Sequence, residues 1–144
     1  MIDAELVTRK MLLITRDVTA LEPIARRDLG DYLASGTDEI LVERYLERII
    51  GRMIDINYHL LTEAGHPPPA DYYQSFTELP RLGIVDLEFA IRIAACAGLR
   101  NRIVHEYNEL DPRKVYEALQ SALRDIPAYL QRINEYLGHA GGPT

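Results

Sequence analysis

The sequence contains no tryptophan and only one cysteine among its 144 residues. A single cysteine excludes a disulfide framework and a cysteine-based metal site within one chain. Cys96 stands among Ile93, Ala95 and Ala97, so we expect a buried thiol rather than a reactive one. No window approaches the roughly 18 consecutive apolar residues of a membrane span, and no basic and apolar leader opens the chain. The sequence therefore predicts a cytoplasmic protein without membrane contact.

Basic charge is also scarce, because 16 Lys and Arg residues stand against 22 Asp and Glu, giving a net charge of −6. This is the wrong sign for a broad nucleic-acid-binding surface, so any RNA contact has to be local. Apolar residues make up 47% of the chain, which is enough for one sizeable core. We expect a single domain over residues 1–144, in which the Gly-rich residues 138–144 form a flexible tail.

Apolar residues recur at three- and four-residue intervals, and no segment alternates apolar and polar residues as a strand does. This pattern predicts an all-α, up-and-down helical bundle of about four main helices. The main helices are expected at about 2–22, at 38–63, from 84 into the segment that begins at residue 100, and at 112–137. Short helical segments are expected near 28–34 and 70–83.

Several residues mark where these helices should begin and end. Pro23 is expected to end the first helix, and Thr37 or Asp38 to cap the start of the second. Asp111 is a predicted N-cap, with Pro112 at the first position of the last helix. Asn57 interrupts the apolar stripe of the second helix, so we expect it to form hydrogen bonds inside the bundle, with the helix of residues 98–105 as a candidate partner.

The densest group of polar side chains lies in residues 98–107, which read Gly-Leu-Arg-Asn-Arg-Ile-Val-His-Glu-Tyr. At about 100° per residue, Asn101, Arg102 and His105 point within about 100° of one another on a helix. Burying them unpaired costs about 1–3 kcal/mol each, so they should be partnered or line a ligand cleft. They continue a row that we expect to face the core, formed by Leu87, Ile91, Ala94 and Gly98.

Arg100 and Tyr107 project to another side of the same ideal helix, with Arg100 about 140° from His105. A straight helix therefore does not bring Arg100 onto His105. A bend near Gly98, the reach of the arginine side chain, or a second copy of the segment from another subunit would bring them together, and the spacing does not choose between these.

The residue types suit RNA cleavage without a metal ion. An imidazole such as His105 can move protons on and off a 2′-hydroxyl and a leaving oxygen. An arginine can hold a phosphate and the charge that develops on it. The same residues also fit a structural His and Arg pair, with Arg102 as a surface residue whose stem packs on apolar neighbours and Tyr107 at the edge of the core.

In this segment Arg100 and Asn101 are followed by three residues and then by His105. This spacing resembles the HEPN superfamily motif, which is an arginine, a polar residue, three residues and a histidine. With Tyr107 the segment is similar to the Arg-x4-His-x-Tyr motif of the HepT-like (DUF86) ribonuclease toxins. The similarity covers about residues 40–120. Further matching segments, in the family's order, are 54–61, a proline-bearing break, 71–73, 76–79, 82–84 and Leu110-Asp111. Ala97-Gly98-Leu99 departs from the family, where an aromatic residue often stands, and this affects packing more than mechanism.

The resemblance implies a homodimer whose two motifs face one cleft, a metal-independent endoribonuclease activity on tRNA or mRNA without a cofactor, and toxin function. It implies His105 as general acid and base, Arg100 as phosphate clamp and Asn101 as an orienting catalytic residue, with Arg102 auxiliary. It also implies a cognate MntA-like nucleotidyltransferase antitoxin that adds AMP to Tyr107. The added anion would then exclude RNA by its bulk and its charge.

Two other interpretations stay open at this point. The first is a non-catalytic HEPN module that binds a nucleotide or a nucleotidyltransferase, which the acidic composition also suits. The second is a helical bundle in which the motif is a buried structural pair. Asp55 and His59, four residues apart on the second helix, are candidates for a pair with a structural role.

Overall fold

The computed structural model describes residues 1–141, apart from the side chains of Tyr107 and of residues 139–141. Seven α-helices and two short 3₁₀ turns make up this part of the chain. The helices are α1 (Ala4–Ala25), α2 (Leu29–Ala34), α3 (Gly36–Glu63), α4 (Tyr72–Thr77), α5 (Leu87–Ile93), α6 (Ala95–His105) and α7 (Pro112–Gly141), and the 3₁₀ turns are Leu79–Leu82 and Tyr107–Glu109.

The four main parts of the bundle are α1, α3, the consecutive pair α5 and α6, and α7, so the predicted all-α bundle is confirmed. Its core is one cluster of buried apolar side chains. As predicted, α3 and α7 each bury a stripe of residues at helical spacing, which pack along the length of the bundle. The buried stripe of α3 includes Val42, Leu46, Ile50, Met53 and Leu60, and that of α7 includes Val115, Leu119, Ala122, Ile126, Tyr129 and Ile133. No helix within the described residues is long and apolar enough to cross a membrane.

Three helix ends differ from those predicted. Helix α1 continues through Pro23 to Ala25, so the proline is accommodated inside the helix although it removes one backbone donor. Ser35, rather than Thr37 or Asp38, caps α3, because its side chain accepts the hydrogen bond from Asp38 N. Helix α7 runs to Gly141, so the expected tail is helical over 138–141, and its last part, 142–144, lies outside the described residues.

The start of α7 is as predicted. Asp111 Oδ1 accepts a hydrogen bond from Arg113 N at 3.0 Å, and Pro112 is the first helical residue. This position suits proline because the first N–H groups of a helix have no partner within the helix. The cap matters for the site because it fixes the point at which the chain leaves the segment 98–107.

The predicted third helix is broken at Ala94 into α5 and α6. The buried face of α5 also differs from the predicted one. Leu87 and Ile91 are 59% and 51% exposed, whereas Ala90 and Ile93 are buried. The expectation that Leu87 and Ile91 begin a row facing the core is therefore wrong, because α5 packs through the face that carries Ala90 and Ile93.

Asn57 forms hydrogen bonds inside the bundle, as predicted, but its partners lie on other helices than the one proposed. Its Oδ1 accepts from the hydroxyl of Tyr129 at 2.6 Å, and its Nδ2 donates to Ser75 Oγ at 3.3 Å. Ser75 Oγ in turn donates to the carbonyl of Tyr72 at 2.7 Å. Asn57 thus joins α3 to α7 and α4, and not to α6.

Candidate active site

The polar segment 98–107 lies at the C-terminal end of α6 and in the turn that follows. Helix α6 ends at His105, since Glu106 leaves the helical region at φ −128°, ψ 29°. Glu106 N still donates to the carbonyl of Arg102 at 2.8 Å. Buried Leu99 and Ile103 hold the opposite face of α6 in the core. The chain therefore presents this end of the helix at the surface of the bundle.

Arg100 is the half-buried member of the segment. Its guanidinium carbon lies 5.2 Å from the ring centroid of Tyr72 on α4, a distance at which the cation is attracted to the face of the ring. Its Nε is enclosed and has no hydrogen-bond partner among the described residues. Arg100 thus points toward α3 and α4, and it lines the cavity between them.

Asn101, Arg102 and His105 are exposed on α6. The expectation that they continue a core stripe is wrong, because that stripe was placed on Leu87 and Ile91, which face solvent. Their polar groups therefore have water as a partner and carry no burial cost. The three residues are free to contact a large ligand that approaches from outside.

Within one chain, the structure does not bring Arg100 and His105 into a common cavity. Arg100 lines a cavity of about 320 Å³ with residues of α3 and with Tyr72. His105 lines a separate, smaller cavity of about 150 Å³ with Glu106, Asn108 and Glu109. A bend near Gly98 was one of the three possibilities left open, and α6 continues through Gly98 as one helix. The sequence-based conclusion that one helix does not make a complete site stands.

Arg102 lines a third cavity, of about 450 Å³, between α6 and the start of α7. Glu106 and Glu109 line both this cavity and that of His105. Its Nη1 atom is 3.4 Å from the position that a Cβ on Gly98 would take, so Arg102 folds back along α6. This location suits an auxiliary role more than direct contact with Arg100.

Tyr107 opens the 3₁₀ turn Tyr107–Glu109 that follows the end of α6. Because the helix has already ended, an ideal-helix projection does not apply to Tyr107, and its predicted placement on the same side as Arg100 has no basis. The turn is followed by Leu110 and the cap of α7. Tyr107 is thus held between two helices in a short connection.

A row of arginines on α3 was missed by the sequence analysis. Arg44, Arg48 and Arg52 line the same cavity as Arg100 and Tyr72. The signal that could have revealed them is their four-residue spacing, which places side chains on one helix face. The row is anchored by Asp17 of α1, which is buried and pairs with Arg52 Nη1 at 2.8 Å and Arg48 Nε at 3.3 Å.

Other candidate residues have structural roles. Asp55 pairs with Lys10 Nζ at 3.2 Å, and His59 Nε2 accepts from Asp3 N at 2.9 Å, so these two residues fasten α1 to α3 and do not pair with each other. Cys96 is buried as predicted, and burial raises the pKa of its thiol to about 12. Among the side chains described, no group of three His, Cys, Asp or Glu residues is placed to hold a metal ion.

The fold agrees with the chain's similarity to known proteins. The family model described as Ribonuclease HepT-like matches residues 14–133. The chain is also 36% identical over 136 residues to the tRNA nuclease HepT of Aphanizomenon flos-aquae, an alignment that covers 94% of this chain and 92% of that relative. The protein belongs to the HepT-like ribonuclease family.

Solved structures share the fold. A tri-AMPylated HEPN toxin of Shewanella oneidensis, in complex with MNT antitoxin, superposes with a TM-score of 0.82 at 24% identity, covering 94% of this chain and 99% of that one. YutE of Bacillus subtilis, a cytosolic protein of unknown function, has a TM-score of 0.81 at 18% identity and covers 99% and 96%. At these identities the two likenesses concern the arrangement of helices.

Proposed function

We propose that this protein is a toxin of a HEPN and nucleotidyltransferase toxin–antitoxin system, and that it acts in the cytoplasm as a metal-independent endoribonuclease on tRNA. The observation that carries the proposal is the segment Arg100-Asn101-x3-His105-x-Tyr107 at the exposed end of α6, in a chain that belongs to the HepT-like family. The 36% identity to a tRNA nuclease supports tRNA as the substrate.

His105 is the proton-transferring group in this proposal. One imidazole takes the proton of a 2′-hydroxyl, the freed 2′-oxygen attacks the neighbouring phosphorus, and the bond from phosphorus to the 5′-oxygen breaks. The same imidazole, now protonated, then gives that proton to the leaving 5′-oxygen. Exposure of His105 on the surface lets a folded RNA approach it.

Arg100 and Asn101 hold the reacting phosphate. The enclosed Nε and the Tyr72 ring fix the direction of the Arg100 guanidinium, so its remaining N–H groups are ready to bind phosphate oxygens. Donors fixed before the reaction stabilise the charge that develops on phosphorus more effectively than mobile ones do. Asn101, next to Arg100 on α6, orients the RNA, and Arg102 has an auxiliary role.

The site is completed by a second copy of the chain. In one copy Arg100 and His105 line separate cavities, which favours a homodimer in which Arg100 of one copy approaches His105 of the other. A two-fold axis would bring the two exposed α6 ends together and make two such pairs at once. This arrangement needs no change in the helix itself.

Tyr107 is the proposed point of control by a cognate nucleotidyltransferase antitoxin. Its place in the short turn next to His105 means that an attached AMP would put negative charge where the RNA phosphate binds. Co-expression with the cognate nucleotidyltransferase should add one or more AMP masses to the peptide that contains Tyr107, and Tyr107→Phe should remove the addition. A Tyr107 peptide that stays unmodified would contradict this part of the proposal.

The activity is tested with purified protein and tRNA in EDTA. The wild-type chain should cleave the RNA, and His105→Ala should lose at least about a hundredfold in rate while its circular dichroism and Tm stay unchanged. His66→Ala, which alters a histidine outside the motif, is the control and should cleave normally. If the wild-type protein does not cleave but still binds a nucleotidyltransferase, the protein is a non-catalytic binding module instead.

A further inference from the structure

The cavity between α3 and Arg100 carries an excess of positive charge that the ion pairs inside it do not neutralise. Four arginines line it, and the carboxylates among its lining residues are Glu47 and Asp55. Asp55 is already paired with Lys10, which lies outside the lining. In a chain whose net charge is −6, a concave surface of this sign is a local exception to the average.

Buried Asp17 does not cancel this charge. Arg16, Arg48 and Arg52 all lie within 3.8 Å of its carboxylate, so one negative charge serves three guanidinium groups. Only one of the three is needed to neutralise it. The others keep a net charge and free N–H donors on the cavity side, where Arg48 and Arg52 remain partly exposed.

The row has the length and composition of a backbone-binding groove. Arg44 and Arg52 are eight residues apart, which on a helix corresponds to about 12 Å. This distance is longer than a single phosphate group can span. Guanidinium groups bind phosphate oxygens in a planar, bidentate way. Tyr45 lies beside Arg48 of the row and Tyr72 lies beside Arg100, and aromatic rings of this kind are ones on which unpaired bases stack.

We propose that Arg44, Arg48 and Arg52 form a second phosphate-binding site, which holds the RNA backbone adjacent to the cleaved bond and is joined to the active site through Arg100. This inference rests on the proposed ribonuclease function. It places the RNA along α3, on the side of Arg100 that faces away from His105 of the same chain. The site explains how an acidic protein holds a polyanion: the contact is confined to one cavity.

Arg44 is the best residue for a test. Its side chain is 65% exposed, and its ion pair is with Glu47 at 3.5 Å on the same helix, so Arg44→Gln should leave the Tm unchanged. Arg48 and Arg52 are unsuitable alone, because replacing either one disturbs the pairing of buried Asp17. Arg9 is a matched control, since it is also 65% exposed, pairs with Glu5 one helical turn away, and does not line the cavity.

The measurement is filter binding of labelled tRNA at several salt concentrations, with Arg44→Gln and Arg9→Gln each built on the non-cleaving His105→Ala variant. Arg44→Gln should weaken binding about three- to tenfold at low salt and reduce the slope of log K against log salt by about one. Arg9→Gln, which changes the net charge by the same amount, should change neither the affinity nor the slope. Equal changes of affinity and slope in the two variants would overturn the inference.

Parallel cleavage assays separate this inference from the proposed function. Cleavage by the wild-type chain with a KM that Arg44→Gln leaves unchanged overturns the second phosphate site alone. Binding that depends on Arg44, without any cleavage, overturns the ribonuclease proposal and leaves the site in place. Polyglutamate binding that depends on Arg44, with no such dependence for tRNA, would assign the cavity to an acidic protein segment and also overturn the inference.

Discussion

At the scale of single residues, the position of Arg100 depends on an aromatic neighbour from another helix. Tyr72 lies under its guanidinium group, and the ring of Tyr58 packs edge-on against Tyr72 at 6.4 Å between centroids. The motif 100–107 marks Arg100 as important but contains no information about Tyr72. The sequence analysis matched the segment 71–73 to the family without a role, because the contact joins residues that are 28 positions apart.

Replacing Tyr72 by leucine tests this contact. Tyr72→Leu keeps apolar bulk beside Tyr58 but removes the cation–π attraction, which is worth roughly 0.5–2 kcal/mol. We expect kcat/KM for RNA cleavage to fall about three- to tenfold. Tyr73→Leu is the control, because Tyr73 is adjacent and also exposed, and it should leave kcat/KM unchanged. Equal losses in both variants would contradict a specific role for Tyr72.

At the scale of helices, the periodic stripes of α3 and α7 and the cap of α7 could be predicted because local signals agreed with the packing. The break at Ala94 could not. Alanine has the highest helix propensity, so nothing local marks the end of α5, and one continuous helix was the simplest interpretation. A separate error, the choice of the buried face of α5, placed Leu87 and Ile91 in the core and Asn101, Arg102 and His105 on the same row, whereas Ala90 and Ile93 are the buried residues.

The buried hydrogen bonds of Asn57 hold α4, and with it Tyr72, against the bundle. Asn57→Ala removes the shorter of the two hydrogen bonds of the Tyr129 hydroxyl, which also contacts the Met53 carbonyl, and the donor to Ser75, so we expect unfolding in urea to show a loss of about 1–3 kcal/mol. Asn134→Ala, at an exposed position of α7, should change stability by less than about 0.5 kcal/mol. A loss at Asn57 no larger than that of the control would mean that the network contributes nothing.

At the scale of the whole molecule, the net charge of the chain did not reveal part of the candidate site. The net charge indicated only that RNA contacts are local, and it did not locate the arginine row on α3, because acidic residues elsewhere outweigh it. The residues of the motif could be named from the sequence. The sequence also indicated that one straight helix does not bring Arg100 and His105 together, but it left three solutions open, and the one proposed above needs a second copy of the chain.

The central claim is that Arg100 of one copy and His105 of another form one ribonuclease site. The most direct test is a heterodimer of Arg100→Ala and His105→Ala chains, isolated after co-expression with two different tags and assayed with tRNA in EDTA. Each variant alone should be inactive, and the heterodimer should recover about half of the wild-type rate, because one of its two symmetric sites has both residues. A heterodimer that stays inactive, beside a wild-type protein that cleaves, would contradict the claim.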